Sequence, residues 1–82
     1  MGKNIGKVVA IIGPVIDIKF EKGHLPKLLN AIEIEHEGKK VVCEVASQMG
    51  DDVVRCIAMS STDGMSRGMK ATDTGGPIKI SV

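Results

Sequence analysis

Between Val15 and Phe20 the chain alternates without a break. Ile16, Ile18 and Phe20 fall on one side of an extended backbone, and Asp17 and Lys19 on the other. A period of two marks a strand with one buried face and one wet face, and it fits no helix. The neighbouring segments carry the same signature. Ile5 to Ile12 is apolar on both alternating sets, with Ile5, Val9 and Ile11 on one and Val8, Ala10 and Ile12 on the other, and Gly13-Pro14 ends it. Val41 to Ser47 and Val53 to Met59 read as two more strands joined through "MGDD". Taking Gly50-Asp51 as a two-residue loop sets Met49 against Asp52 and Val45 opposite Cys56.

The segment "LPKLLNAIEIE" fits two patterns. Leu25, Leu28, Leu29 and Ile32 suit a helical face behind Pro26, whereas Ile32 and Ile34 between Glu33 and Glu35 suit a strand. We read a short turn through Leu29 and then a strand from about Ala31 to Glu35, with "HEGKK" as a hairpin turn around Gly38. Downstream, Thr62-Asp63-Gly64, Arg67-Gly68 and Asp73-Thr74-Gly75-Gly76-Pro77 read as turns, and Ile78, Ile80 and Val82 alternate as a last strand. Six short strands at hairpin spacing, with no convincing long helix, predict an all-β fold. The expected architecture is a small closed six-stranded antiparallel β-barrel, one domain across residues 1–82.

Composition limits what such a barrel can do. Apolar residues make up 43% and charged ones 26% of 82 residues, the balance of one small folded domain. Net charge is +1 with lysines and acids interspersed, so no polyanion partner is suggested. Phe20 is the lone aromatic. Oligonucleotide-binding barrels stack bases on exposed aromatics beside a basic groove, and that platform is missing. No apolar run approaches 18 residues, so no direct membrane insertion is expected. The N-terminus reads as strands and makes a poor signal peptide.

Cys43 and Cys56 are too few for a disulfide-stapled secreted domain. The hairpin register puts them diagonally on one face, about 7–8 Å apart. They are expected as buried free thiols that pack like small apolar groups.

The richest stretch for chemistry is "SSTDGMSRGMKATDTGGPI", Ser60 to Ile78. Gly64, Gly68, Lys70 and Thr72 look like pieces of a phosphate-binding loop. That loop needs four residues between its glycines, an adjacent lysine and a following helix. Here three residues separate the glycines, Met69 intervenes before Lys70, and "ATDTGGP" does not continue as a helix. Asp73-Thr74-Gly75 spells the triplet of an aspartic protease, whose two loops share one proton between carboxylates. The triplet follows "MKAT" rather than a buried apolar strand. The plainer reading makes Asp73 and Thr74 the cap of a turn whose positive-φ positions fall to Gly75 or Gly76. His24, His36, Cys43 and Cys56 are too scattered for a zinc site, and both histidines read as solvated members of charged loops. No catalytic, cofactor-binding or metal-ligating residue is assigned.

One feature does not close up neatly. Val54, Cys56 and Ala58 share one face of their strand, and Val53, Ile57 and Met59 share the other, broken by Arg55. With the two-sided first strand, that is more apolar surface than one barrel interior needs. Loop cover would account for it, and so would packing against another chain.

"GKVVAIIGPVIDIKF", "LPKLLNAIEI", "VVCEVASQMGDDVVRCIAM" and "STDGMSRGMKATDTGGPI" occur here in one order and spacing. In these segments the chain resembles the N-terminal β-barrel, or crown, domain of the F-type ATP synthase beta subunit. The resemblance covers essentially the whole chain. Its Thr-Asp-Gly, Arg-Gly-Met and Asp-Thr-Gly-x-Pro-Ile series resembles beta rather than the related alpha subunit. Ser47-Gln48-Met49 and Ala71-Thr72 depart from the usual pattern without disturbing it.

The resemblance implies an assembly domain that joins the N-terminal domain of the alpha subunit and further beta subunits in an alternating ring. It also implies that the glycines of the last segment are turns ending the barrel. The parent subunit makes and hydrolyses ATP with proton flow, using ATP or ADP and magnesium held by domains beyond Val82. The chain by itself is therefore expected to be no enzyme, lacking the nucleotide-binding and C-terminal domains. Its expected location is peripheral, on the cytoplasmic side of a bacterial membrane. Val53, Arg55, Ile57 and Met59 are the candidate subunit interface. The alternatives are a free-standing binding module like the oligonucleotide-binding barrels, and a dimeric aspartic-protease-like chain.

Overall fold

Strands rich in valine and isoleucine at hairpin spacing close here into a cylinder. The computed structural model describes residues 4–78, the side chains of His36 and Lys39 excepted. Six strands run antiparallel among the described residues: β1 (Asn4–Ile12), β2 (Val15–Lys19), β3 (Asn30–His36), β4 (Lys39–Gly50), β5 (Val53–Ala58) and β6 (Lys70–Pro77). Their order around the closed barrel is β1-β2-β5-β4-β3-β6. The fold is therefore the all-β, six-stranded closed barrel that the alternation predicts.

The inward residues make one core. Val8, Ile16, Ile18, Phe20, Ile32, Ile34, Val41, Cys43, Val45, Val54, Cys56 and Ala71 are all buried together. Fully burying a side chain of the Ile or Val class is worth about 1.5–3 kcal/mol, so this cluster supplies the driving force. Cys43 and Cys56 sit in it as free thiols. Phe20 lies just past β2 and still turns inward.

Gly6 explains how β1 meets β2. A Cβ at that position would lie 2.6 Å from the Lys19 carbonyl oxygen and 2.9 Å from the Phe20 ring. The backbones approach too closely there for any side chain.

Three sequence expectations need correction. The first is strict alternation in β1. Val8 pairs with Ile18 and Ala10 with Asp17, so Val9 is the extra residue of a β-bulge. The bulge turns Val8 and Ile11 toward the core and leaves Ile5, Val9 and Ile12 exposed. An apolar residue on each alternating set is what such a switch of face requires.

The second is the β4–β5 loop, which is Asp51-Asp52, with Gly50 opposite Val53. Both aspartates have positive φ, 53° and 65°, as a twisted two-residue hairpin turn demands. Shifts between Val45 and Ser47 and between Gln48 and Gly50 then absorb one residue each. Val45 consequently still meets Cys56, as expected, although the turn sits one residue later.

The third is the stretch from Asp73 to Pro77, which is strand and not turn. It belongs to β6, which pairs with both β1 and β3 and closes the barrel. Its glycines do not end the barrel. The last strand expected from Ile78 to Val82 lies, beyond Ile78, outside the described residues. His36 also leaves its expected loop, closing β3 opposite Lys39. The turn through Leu29 is as expected, with Leu28 and Leu29 exposed and Pro26 buried.

Candidate functional site

The glycine-rich stretch divides into a pinned loop and a strand. In the loop, Thr62 donates its hydroxyl hydrogen to the Gly13 carbonyl at 2.9 Å. The Gly68 amide donates to Val8 O at 2.7 Å, and the Val8 amide to Met69 O at 2.9 Å. These bonds anchor the entry to β6 against β1. Lys70 and Thr72 lie within β6 rather than at the mouth of a helix. The backbone donors here serve the barrel.

The Asp-Thr-Gly triplet is a bulge in the closing strand. Asp73 Oδ1 accepts the Gly75 amide at 2.9 Å, an Asx turn, with φ of +83° at Gly75. The same oxygen accepts from Asn30 Nδ2 at 3.1 Å, and Asn30 is the buried polar residue at the start of β3. Thr74 donates its hydroxyl hydrogen to the Ala31 carbonyl at 2.8 Å. Opposite, Asn30 pairs with Pro77 and Ile32 with Asp73, so two extra residues of β6 are taken up between them. Asp73 and Thr74 thereby tie β6 to β3 where the ladder is irregular.

Burial pushes the Cys43 thiol up to about 11. Burial first, then the negative charges of Cys43, Asp17 and Asp73, pushes Cys56 up to about 12. Both are thiols rather than nucleophilic thiolates at neutral pH. Among the described residues, no three His, Cys, Asp or Glu side chains converge to hold a metal ion. His24 is exposed.

The outer wall of β1, β2 and β5 is organised in rows across the strands. Ile12, Val15 and Ile57 are consecutive partners and form one apolar row. Ile12 is 73% exposed, Ile57 36%, and Met59, just past β5, 53%. The Ala58 amide binds Pro14 O, and the Met59 amide binds Val42 O, fixing this end of β5 against both neighbours. The next row is Ala10, Asp17 and Arg55. Arg55 grips Asp17 with two bonds, Nε to Oδ1 at 2.9 Å and Nη2 to Oδ2 at 3.1 Å. Hydrogen bonding to Asp17 and its charge hold the guanidinium pKa above its ordinary value. The third row is Lys7, Lys19 and Val53.

Val53, Arg55, Ile57 and Met59 therefore share the outside of the β5 segment, but they occupy different rows. Ile57 and Met59 are open apolar surface. Arg55 is already partnered, and Val53 is half-buried beside the lysines. Sequence reasoning missed Ile12, Val15 and Asp17 as companions of this face. The two-sided apolar pattern of the first run was the available signal for Ile12.

No helix among the described residues is long and apolar enough to cross a membrane. A family model for the beta-barrel domain of the ATP synthase alpha/beta family matches residues 8–75. The match runs from the inward Val8 of β1 to the Gly75 bulge of β6, and so takes in all six strands of the barrel. This chain belongs to the ATP synthase alpha/beta family, as its beta-barrel domain.

Proposed function

We propose that this barrel is the N-terminal assembly domain of a beta-type subunit, joining alpha-type barrels in an alternating ring. The observation that carries the reading is the apolar row Ile12, half-buried Val15 and Ile57, exposed at Ile12 and Ile57 and extended by Met59. Apolar surface of this kind on a small closed barrel marks a contact with another chain. The series from Thr62 to Ile78 supports the beta-type reading through its resemblance to the beta pattern. The Asp17–Arg55 fork borders the row as a fixed polar rim.

In this reading the barrel contributes position and not chemistry. The parent subunit couples proton flow to ATP synthesis and hydrolysis, and nucleotide and magnesium belong to domains other than this one. The complex is a peripheral assembly on the cytoplasmic side of a bacterial membrane.

Sedimentation of the chain mixed with the equivalent alpha domain tests the proposal. A hetero-complex that Ile57→Lys weakens at least tenfold is the expected result. Association that is absent at high concentration, or indifferent to Ile57→Lys and Ile12→Lys, would overturn this interface. The size of the native polypeptide, read with an antibody against the barrel, tests the parent subunit separately. A membrane-associated band several times larger than this chain is expected. A soluble band at the size of this chain would return the reading to a free-standing binding module.

A further inference from the structure

The barrel collects three lysines that the sequence keeps far apart. Lys70 on β6 is the direct partner of Lys7 on β1, and Lys7 is the direct partner of Lys19 on β2. All three side chains are exposed. Directly opposed residues on adjacent strands stand about 5 Å apart, so three ammonium stems rise in a line about 10 Å long. Like charges in opposed positions repel. Among the described residues, none of the three makes an ion pair or a side-chain hydrogen bond. The net charge of +1 conceals this row completely.

Beneath the row lies a shallow depression of about 360 Å³, bordered by Ile5, Val9 and Phe20 along with the lysines, and by Glu21 at its rim. Ile5 and Val9 flank Lys7 along β1 and are 49% and 39% exposed. The positive line is short. Past Lys70 it meets Glu33 and Glu35, which border the adjoining depression on β3. Past Lys19 it meets Val53.

From this arrangement we infer that the β6–β1–β2 face docks an extended acidic segment of another polypeptide, with carboxylates at alternate positions facing the lysines. In an extended chain, alternate residues recur every 6.6–6.8 Å or so, and flexible lysines spaced at about 5 Å reach two or three of them. The methylene stems of those acidic side chains settle against Ile5 and Val9 on either side of Lys7. A longer polyanion is excluded by charge, because it would run onto Glu33 and Glu35. A membrane surface calls for a cluster of four to eight basic residues, and three do not make one. Nucleic acid would find no exposed aromatic to stack on. The ring contact proposed above uses the Ile12, Val15 and Ile57 row, two outward rows away on β1, β2 and β5, so the peptide assay on the isolated chain reads the lysine row separately.

The test uses the 82-residue chain and a fluorescein-labelled peptide with glutamates at three alternate positions between leucines. Anisotropy should rise on binding, and backbone amides of residues 5–9, 19–20 and 70 should shift in NMR spectra. Replacing the peptide's glutamates by glutamines should weaken binding about tenfold, the combined effect of three exposed ionic contacts. The triple variant Lys7→Gln, Lys19→Gln, Lys70→Gln should lose affinity equally while keeping its amide spectrum. Raising the salt from 50 to 300 mM should weaken wild-type binding alone. Equal binding of the glutamine peptide, or no loss in the triple variant, overturns the inference. So do tighter binding to phosphatidylserine vesicles than to the peptide, and self-association of the chain that shifts the same amides.

Discussion

The β2–β5 seam and the β3–β6 seam lie on different sides of one barrel and are held by different means. Along β2–β5, five consecutive pairs run from Val15–Ile57 to Lys19–Val53 without a shift. Ile16, Ile18, Val54 and Cys56 from these strands are fully buried, and the Asp17–Arg55 fork lies over them outside. Along β3–β6 the register slips between Asn30 and Ile32, and Ala71 is the one inward residue of β6 with no exposure. Hydrogen bonds from Asn30 and Thr74 take over there. A strand that alternates is fastened by its core face. A strand that does not must be fastened by polar side chains at named positions.

Shortening a core residue should damage the regular seam most. Ile18→Ala should cost about 2–5 kcal/mol, because Ile18 has no exposure and its shortening leaves a cavity in the core. Urea unfolding of wild type and variant would measure it, and a loss below 1 kcal/mol would mean that the core is less tightly packed than its burial implies.

Alkaline pH should come next. The two thiols keep their protons to about 11 and about 12 in the folded chain, against 9.0 ordinarily. Above pH 9 the unfolded chain releases protons that the folded chain retains, so stability is flat below that value and falls as pH rises through it. One unit higher, the loss should be about 1.4 kcal/mol per thiol. Cys43→Ala with Cys56→Ala should flatten the decline, and an unchanged slope would mean that the buried thiols do not cause it.

On the irregular seam, Gly75→Ala places a Cβ at φ +83°. The cost should be about 1–2 kcal/mol from backbone strain alone, since no atom lies near enough to clash. Hydrogen exchange should then quicken along β6 before β2. Equal quickening of both would erase the distinction between the seams.

The smallest effect should have the opposite sign. Lys7→Gln removes a like-charge pair on each side and should raise Tm by roughly 1–2 °C at low salt. The gain should vanish at high salt.

The same contrast explains what the sequence disclosed. Ile16, Ile18 and Phe20 announced both strand and inner face, because alternation is a local signal. Glu37-Gly38 announced its hairpin by turn chemistry, and the pairing of Val45 with Cys56 followed from a turn placed one residue early. The second half of β6 reads as a turn because Asp73, Thr74, Gly75 and Gly76 have the residue types of turns, and their local geometry is indeed turn-like. What makes them a strand is the presence of β1 and β3 on either side, which no local pattern encodes. The outer face was half legible. Ile57 and Met59 stood out as surplus apolar residues on β5, whereas Ile12 reaches them only through the β1 bulge. The lysine row was invisible, because its three members come from strands adjacent only after closure.

That closure also sets a timetable. A nascent chain can build β1 with β2, and β3 with β4 and β5, soon after each emerges. Until β6 has left the ribosome, however, β1 and β3 each expose a row of unpaired amides and carbonyls, and such edges recruit other strands. Asn4 waits for Asp73, almost the whole length of the domain. Protection against misassembly therefore arrives with the glycine-rich segment that looks least like structure, and a pause in translation just before Lys70 is when the chain is most open to aggregation.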